Sequence, residues 1–154
     1  MLWYTKNLFK KFAILSIIVI VFGCSKDDTS TPANYSILGI WKTTSSVKNG
    51  VEIFGGSNTV KSEMTYFISD GSVLTYSFTD SNFTNKYISS DGTYTKSSNT
   101  LNMTANIYNS SNTLILQNVS TSSEITLLNA TELQLKILNY PSANDVYIKK
   151  YVRL

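Results

Sequence analysis

Histidine is missing from this chain altogether, and cysteine occurs once, at Cys24. With no histidine and no second thiol, the usual zinc sites, Ser/His triads and an internal disulfide are excluded. Stability has to come from packing alone. Charged residues make up only 15% of the chain, and the few carboxylates suggest no site. Asp70 and Asp91 are accounted for by turns, and Glu63, Glu124 and Glu132 by polar strand faces or neighbouring turns. No spacing singles out two acids facing one cleft, as glycoside hydrolysis requires. No loop repeats acids at alternate positions, as a calcium site would. No catalytic residue, metal ligand or cofactor site is therefore assigned, and the chain is not read as an enzyme.

Long apolar runs are also scarce. The one present, Phe12 to Phe22, is interrupted only by Ser16, follows Lys6, Lys10 and Lys11, and ends at Gly23-Cys24. It is too short to span a bilayer as a helix, which takes about 20 residues. A basic start, a short apolar middle and a small residue before a polar stretch make a signal peptide. The segment Val21-Phe22-Gly23-Cys24 resembles the lipobox of bacterial lipoproteins. That resemblance implies cleavage before Cys24, diacylglycerol on its sulfur and acylation of the new amino terminus. Several acyl chains hold a protein stably on a membrane, where one is marginal.

Residues 1–23 are thus expected to be removed, residues 24–34 to form a lipidated, polar tether, and residues 35–154 to form one domain. The sequence Ser25-Lys26-Asp27-Asp28 resembles an export signal that carries some Gram-negative lipoproteins to the cell surface. The expected location is the outer membrane, surface exposed, with its periplasmic face as the alternative. Losing Lys6, Lys10 and Lys11 takes the 13 basic residues to 10, level with the 10 acidic ones. The basic pI therefore belongs largely to the signal peptide, and no basic stripe remains for nucleic acid.

What is abundant beyond Tyr35 is short runs of Val, Ile, Thr, Tyr and Phe broken by Gly, Asn, Asp and Ser, an all-β pattern. Met64, Tyr66 and Ile68 alternate with Thr65, Phe67 and Ser69. Asp70-Gly71 supplies a tight turn, and Leu74, Tyr76 and Phe78 continue the apolar face on the return. A second hairpin is expected from Phe83 to Ser90, turning at Asp91-Gly92 into Thr93 to Lys96. Asn49-Gly50 is a third turn. Ile107 to Asn112 reads as a loop, Leu114 to Val119 and Glu124 to Leu128 as separate strands. Period-two alternation makes Leu133, Leu135 and Ile137 a strand in spite of good helix formers between them. About nine strands and no convincing helix favour an antiparallel up-and-down meander closing into a small barrel, with a β-sandwich as the alternative.

Tyr66, Tyr76, Phe78, Tyr87 and Tyr94 are candidates to line the barrel interior, either filling it or enclosing a ligand. Leu38-Gly39-Ile40-Trp41-Lys42 resembles the Gly-x-Trp opening of lipocalin barrels. The segments Phe67 to Gly71, Gly92 to Thr95 and Asn99 to Thr104 are similar to those of small lipocalin-like domains on bacterial lipoproteins. The resemblance implies that first and last strands meet and that Arg153 covers Trp41, making Gly39, Trp41 and Arg153 a structural signature. It also implies an apolar ligand in the barrel mouth. The expected partners are therefore the membrane, through the lipid anchor, and a small apolar molecule or envelope component. The alternative is a filled barrel contacting a protein or glycan through its loops.

Overall fold

The computed structural model describes residues 35–55, 60–138, 142 and 144–154. Residues 1–34, on which the expected signal peptide, Cys24 and the expected tether fall, lie outside the described residues, as does Asn139-Tyr140-Pro141. Nine strands follow in order: β1 (Gly39–Lys48), β2 (Val51–Glu52), β3 (Ser62–Phe67), β4 (Ser72–Phe78), β5 (Lys86–Ser97), β6 (Thr100–Asn109), β7 (Leu114–Leu128), β8 (Glu132–Leu138) and β9 (Val146–Arg153). From β3 onward each pairs antiparallel with the next, and β9 returns to β1, from Trp41 opposite Arg153 to Lys48 opposite Tyr147. Eight strands close into an up-and-down barrel, with β2 as an added ninth strand on the edge of β1. Continuous pairing between first and last strands excludes the sandwich.

Two of the three expected turns are present. Asn49 and Gly50 both have positive φ, 49° and 86°, as a two-residue hairpin turn requires. Gly71 has φ 87°, and Asp70 accepts the Ser72 N–H at 2.8 Å. Asp91-Gly92, by contrast, is no turn. The strand β5 runs straight through it and reverses at Ser98-Asn99, where Ser98 has φ 52°. Gly92 is needed for another reason, because a Cβ there would lie 2.0 Å from the Thr104 carbonyl oxygen on β6. A glycine inside a strand often marks such an approach of neighbouring backbone.

Strand limits differ elsewhere. The segment 79–85 precedes β5 as a loop, and Asp80 organises it by accepting the N–H groups of Asn82, Thr84 and Asn85. Residues 107–109 belong to β6 and not to a loop. The two strands expected between Leu114 and Leu128 are one long strand that tolerates bulges against β6 and β8. Ser120, Thr121 and Ser122 keep their backbone in the ladder with β6, and from Ser123 onward β8 pairs on the other side.

Candidate functional site

The lumen divides along its axis. At the end where β1 begins, Ile37, Trp41, Phe67, Val73, Leu101, Ile125, Leu133, Leu135 and Tyr151 form one buried cluster. Trp41 is fully buried, and its indole N–H donates to the Ile37 carbonyl at 2.7 Å. The Arg153 guanidinium lies 4.5 Å from the Trp41 ring centre. Its two terminal nitrogens donate to the carbonyls of Leu38 and Ser36 at 3.0 and 2.6 Å. One arginine thus covers the tryptophan and ties the lead-in segment 35–38 beneath the barrel. Gly39, at φ 126°, lies beside it, where a Cβ would sit 3.6 Å from the guanidinium. Trp41, Gly39 and Arg153 are therefore parts of the floor.

Beyond the floor lies a cavity of about 670 Å³. On its β1 side the wall is unusual. β1 and β3 pair only from Gly39 to Lys42, after which that edge of β1 is taken by β2. Ile53, Phe54 and Val60, from the segments flanking this junction, line the cavity there.

The interior face of the first hairpin is the reverse of the expected one. Glu63, Thr65 and Phe67 on β3 and Val73, Thr75 and Ser77 on β4 line the lumen. Tyr66 and Tyr76 belong to the opposite, outer face, where their rings meet edge-on at 5.9 Å. Phe78 does not line the cavity but packs edge-on against Phe83 at 5.4 Å, with the Lys42 ammonium 5.3 Å from the Phe83 ring centre. The barrel-lining expectation is thus corrected for Tyr66, Tyr76 and Phe78. The reason is register: Phe67 and Val73 enter the floor cluster, and with a side-chain period of two their alternate neighbours must face the lumen whatever their polarity. Tyr87 lines the cavity. Tyr94 lies nearer the floor, its ring 5.0 Å from Phe67 and its hydroxyl donating to the Ile68 carbonyl at 3.0 Å.

The same register turns Glu63 inward, so its placement on a polar outer face is also corrected. One of its oxygens accepts from Thr43 Oγ1 at 2.8 Å and Lys149 Nζ at 2.9 Å, the other from Ser77 Oγ at 3.2 Å. Burial alone would raise the Glu63 pKa, but the Lys149 ammonium and the two hydroxyls hold it below the ordinary glutamate value. The lysine side chain keeps 26% exposure, against 11% for the glutamate, so the cation is the more accessible member of the pair. Nearby, burial pushes the Tyr151 phenol up to about 12, with Lys149 opposing and Glu63 adding to the shift. Tyr151 is therefore a neutral hydrogen-bonding group at ordinary pH.

Sequence reasoning missed Glu63, Lys149 and the hydroxyls of Thr65 and Thr75, which approach to 3.2 Å. A signal existed: Lys149 alternates with Tyr151 and Arg153 on the final strand, so an inward Tyr151 carries Lys149 inward too. Among the described residues, no three of His, Cys, Asp and Glu are grouped to hold a metal ion. Arrangement and chemistry together make a pocket able to hold a molecule, with one neutralised ion pair on its wall. Comparison with protein-family models and with curated proteins finds no match for this chain.

Proposed function

We propose that this chain is a lipid-anchored outer-membrane protein, lipocalin-like in its barrel, that binds a small apolar molecule or envelope component in the lumen. The cavity of about 670 Å³ carries the reading, since its size falls in the usual range for small-molecule sites, roughly 300–1,000 Å³. Aliphatic and aromatic side chains make up most of its lining, with Ile88, Ile107, Val119 and Ile137 on the far wall. The Trp41–Arg153 stack, together with Gly39, supports the lipocalin resemblance. Acylation at Cys24 would place the pocket on the membrane that supplies or receives such ligands. A surface module with a filled barrel draws less support, because a cavity of about 670 Å³ is left by its own side chains.

Native mass spectrometry of the purified protein tests the binding. A retained small molecule, released on denaturation, is the expected result, and repeated isolation of the bare chain from membranes with no uptake of added lipids would count against it. Anchoring is tested separately by Cys24→Ala, which should leave an unprocessed precursor without acyl chains. Unchanged size and acylation in that variant would remove the lipoprotein reading while leaving the pocket intact.

A further inference from the structure

The cavity wall is two-sided around the barrel axis. Lys149, Ser46, Glu63, Thr65, Thr75 and Ser77 all line it from β9, β1, β3 and β4, which are consecutive around the barrel because β1 pairs with both β9 and β3. Across the lumen, β5 to β8 supply Ile88, Met103, Ala105, Ile107, Leu135 and Ile137. Phe67 and Val73 at the floor end and Tyr147 and Tyr151 on β9 interrupt the polar side, and Tyr87, Ser90 and Thr121 the apolar one. Ser90 is the register partner of Thr75, so it extends the row Thr65, Thr75, Ser90 by one strand, while Thr121 stands alone on β7.

On β3, β4 and β9 the lining passes from Phe67, Val73 and Tyr151 at the floor to Thr65 and Thr75 and then to Glu63, Ser77 and Lys149, whereas β6 and β8 stay apolar throughout. Ile88 is the register partner of Ser77, and Ile107 that of Ser90, so the apolar side begins beside the polar groups on the neighbouring strand. Near the mouth, Ile53, Phe54, Tyr87 and Tyr147 are apolar or aromatic, and the charges of Lys48 and Asp145 meet at 3.0 Å. A chain with a single charged head would meet the Glu63–Lys149 pair alone and lay hydrocarbon along the hydroxyl row Thr65, Thr75, Ser90. A molecule with hydrogen-bonding groups along one side and hydrocarbon along the other would match both sides.

We propose that the ligand is facially amphipathic: a sterol-sized fused-ring molecule carrying hydroxyl or carbonyl groups on one face, which lies against β9, β1, β3 and β4. The inference rests on the ligand-binding reading and specifies the class of molecule bound. Its polar face would meet the Thr65–Thr75 hydroxyl pair and the Lys149 end of the ion pair, and its hydrocarbon face the isoleucines of β5, β6 and β8. Burying a hydroxyl without a partner is costly, so an all-apolar pocket would reject such a molecule.

The test uses the mature chain from residue 24 carrying Cys24→Ser, so that no acyl chain competes, with N-phenyl-1-naphthylamine as the lumen probe. Cholate and 5β-cholanate compete for the probe below their micellar concentrations. They share skeleton and carboxylate and differ in three hydroxyls on one face. Cholate is expected to compete at least as well as cholanate, where an apolar lumen would favour cholanate by about 100-fold or more. Thr75→Val should weaken cholate about 10-fold and leave cholanate within about 2-fold. Thr121→Val, on the opposite wall, should weaken cholate clearly less than Thr75→Val does, and Thr65→Val substitutes for Thr75→Val if that variant fails to fold. Absence of probe binding would overturn the ligand-binding reading itself. Probe binding with strong preference for cholanate, or equal effects of the two wall variants, would overturn the facial assignment alone.

Discussion

The two halves of the barrel share strands and differ in how they are stabilised. At the floor, Trp41, Leu101, Leu133 and Leu135 are almost completely buried and the lead-in segment seals the end. In the mouth half, the same β-strands surround a cavity, and Glu63, Lys149, Thr43 and Ser77 are joined by polar contacts. Packing of the floor supplies the stability, and the mouth half forgoes packing for space. A side chain should therefore cost more to truncate at the floor than one of similar size beside the cavity.

Trp41→Ala is expected to have the largest effect, about 3–5 kcal/mol by chemical denaturation, because it leaves a void and strands Arg153 without its aromatic partner. A loss below about 1 kcal/mol would show that the floor is not the main source of stability. The comparison is sharper with paired aliphatic truncations. Leu133→Ala should cost about 2–5 kcal/mol, whereas Ile107→Ala, which only enlarges an existing cavity, should cost about 1 kcal/mol. Equal shifts in urea midpoint for the two would abolish the division.

Glu63→Gln comes next, at about 1–3 kcal/mol near neutral pH, since it leaves the Lys149 charge without its carboxylate. Its pH dependence has a definite sign. The Glu63 pKa is lowered in the folded protein, so the stabilisation is complete above the unfolded value of about 4.3 and is lost as pH falls through the lower folded value. Urea melts at stepped pH should therefore show wild type and Glu63→Gln converging below about pH 4, while their gap stays constant above about pH 5.

The smallest expected effects ignore the division altogether. Gly71→Ala in the β3–β4 turn at the floor end and Gly50→Ala in the β1–β2 turn at the mouth end should each cost about 1 kcal/mol, because both glycines have positive φ. The cost is one of local backbone geometry. Thermal melts showing a much larger loss for Gly71→Ala would mean that turn strain spreads into the floor packing.

Much of this architecture was legible before the fold was known. Alternation and turn pairs located the strands, and Asn49-Gly50 and Asp70-Gly71 turn where their residues require positive φ. Asp91-Gly92 has the same composition and does not turn, because β4 and β6 flank it and keep β5 extended. The Arg153–Trp41 contact was expected from a resemblance at two ends of the domain, and the closed ladder brings those residues opposite each other. The lining was harder to read. Tyr66 and Tyr76 are more apolar than Thr65 and Thr75, yet it is the threonines that face inward.

By itself, then, the sequence determined an all-β chain, most of its strands and two of its hairpin turns. These depend on local backbone preference and short-range alternation, which a linear reading carries. Only the tertiary structure decided which face of each strand is inside, that Glu63 and Lys149 meet, and that the lumen has a polar and an apolar wall. Residues 63 and 149 are brought together by strand order and closure, and the inward face is fixed by how Phe67 and Val73 enter the floor. When an interior holds a cavity, burial no longer tracks hydrophobicity, and alternation gives two faces without saying which one is enclosed.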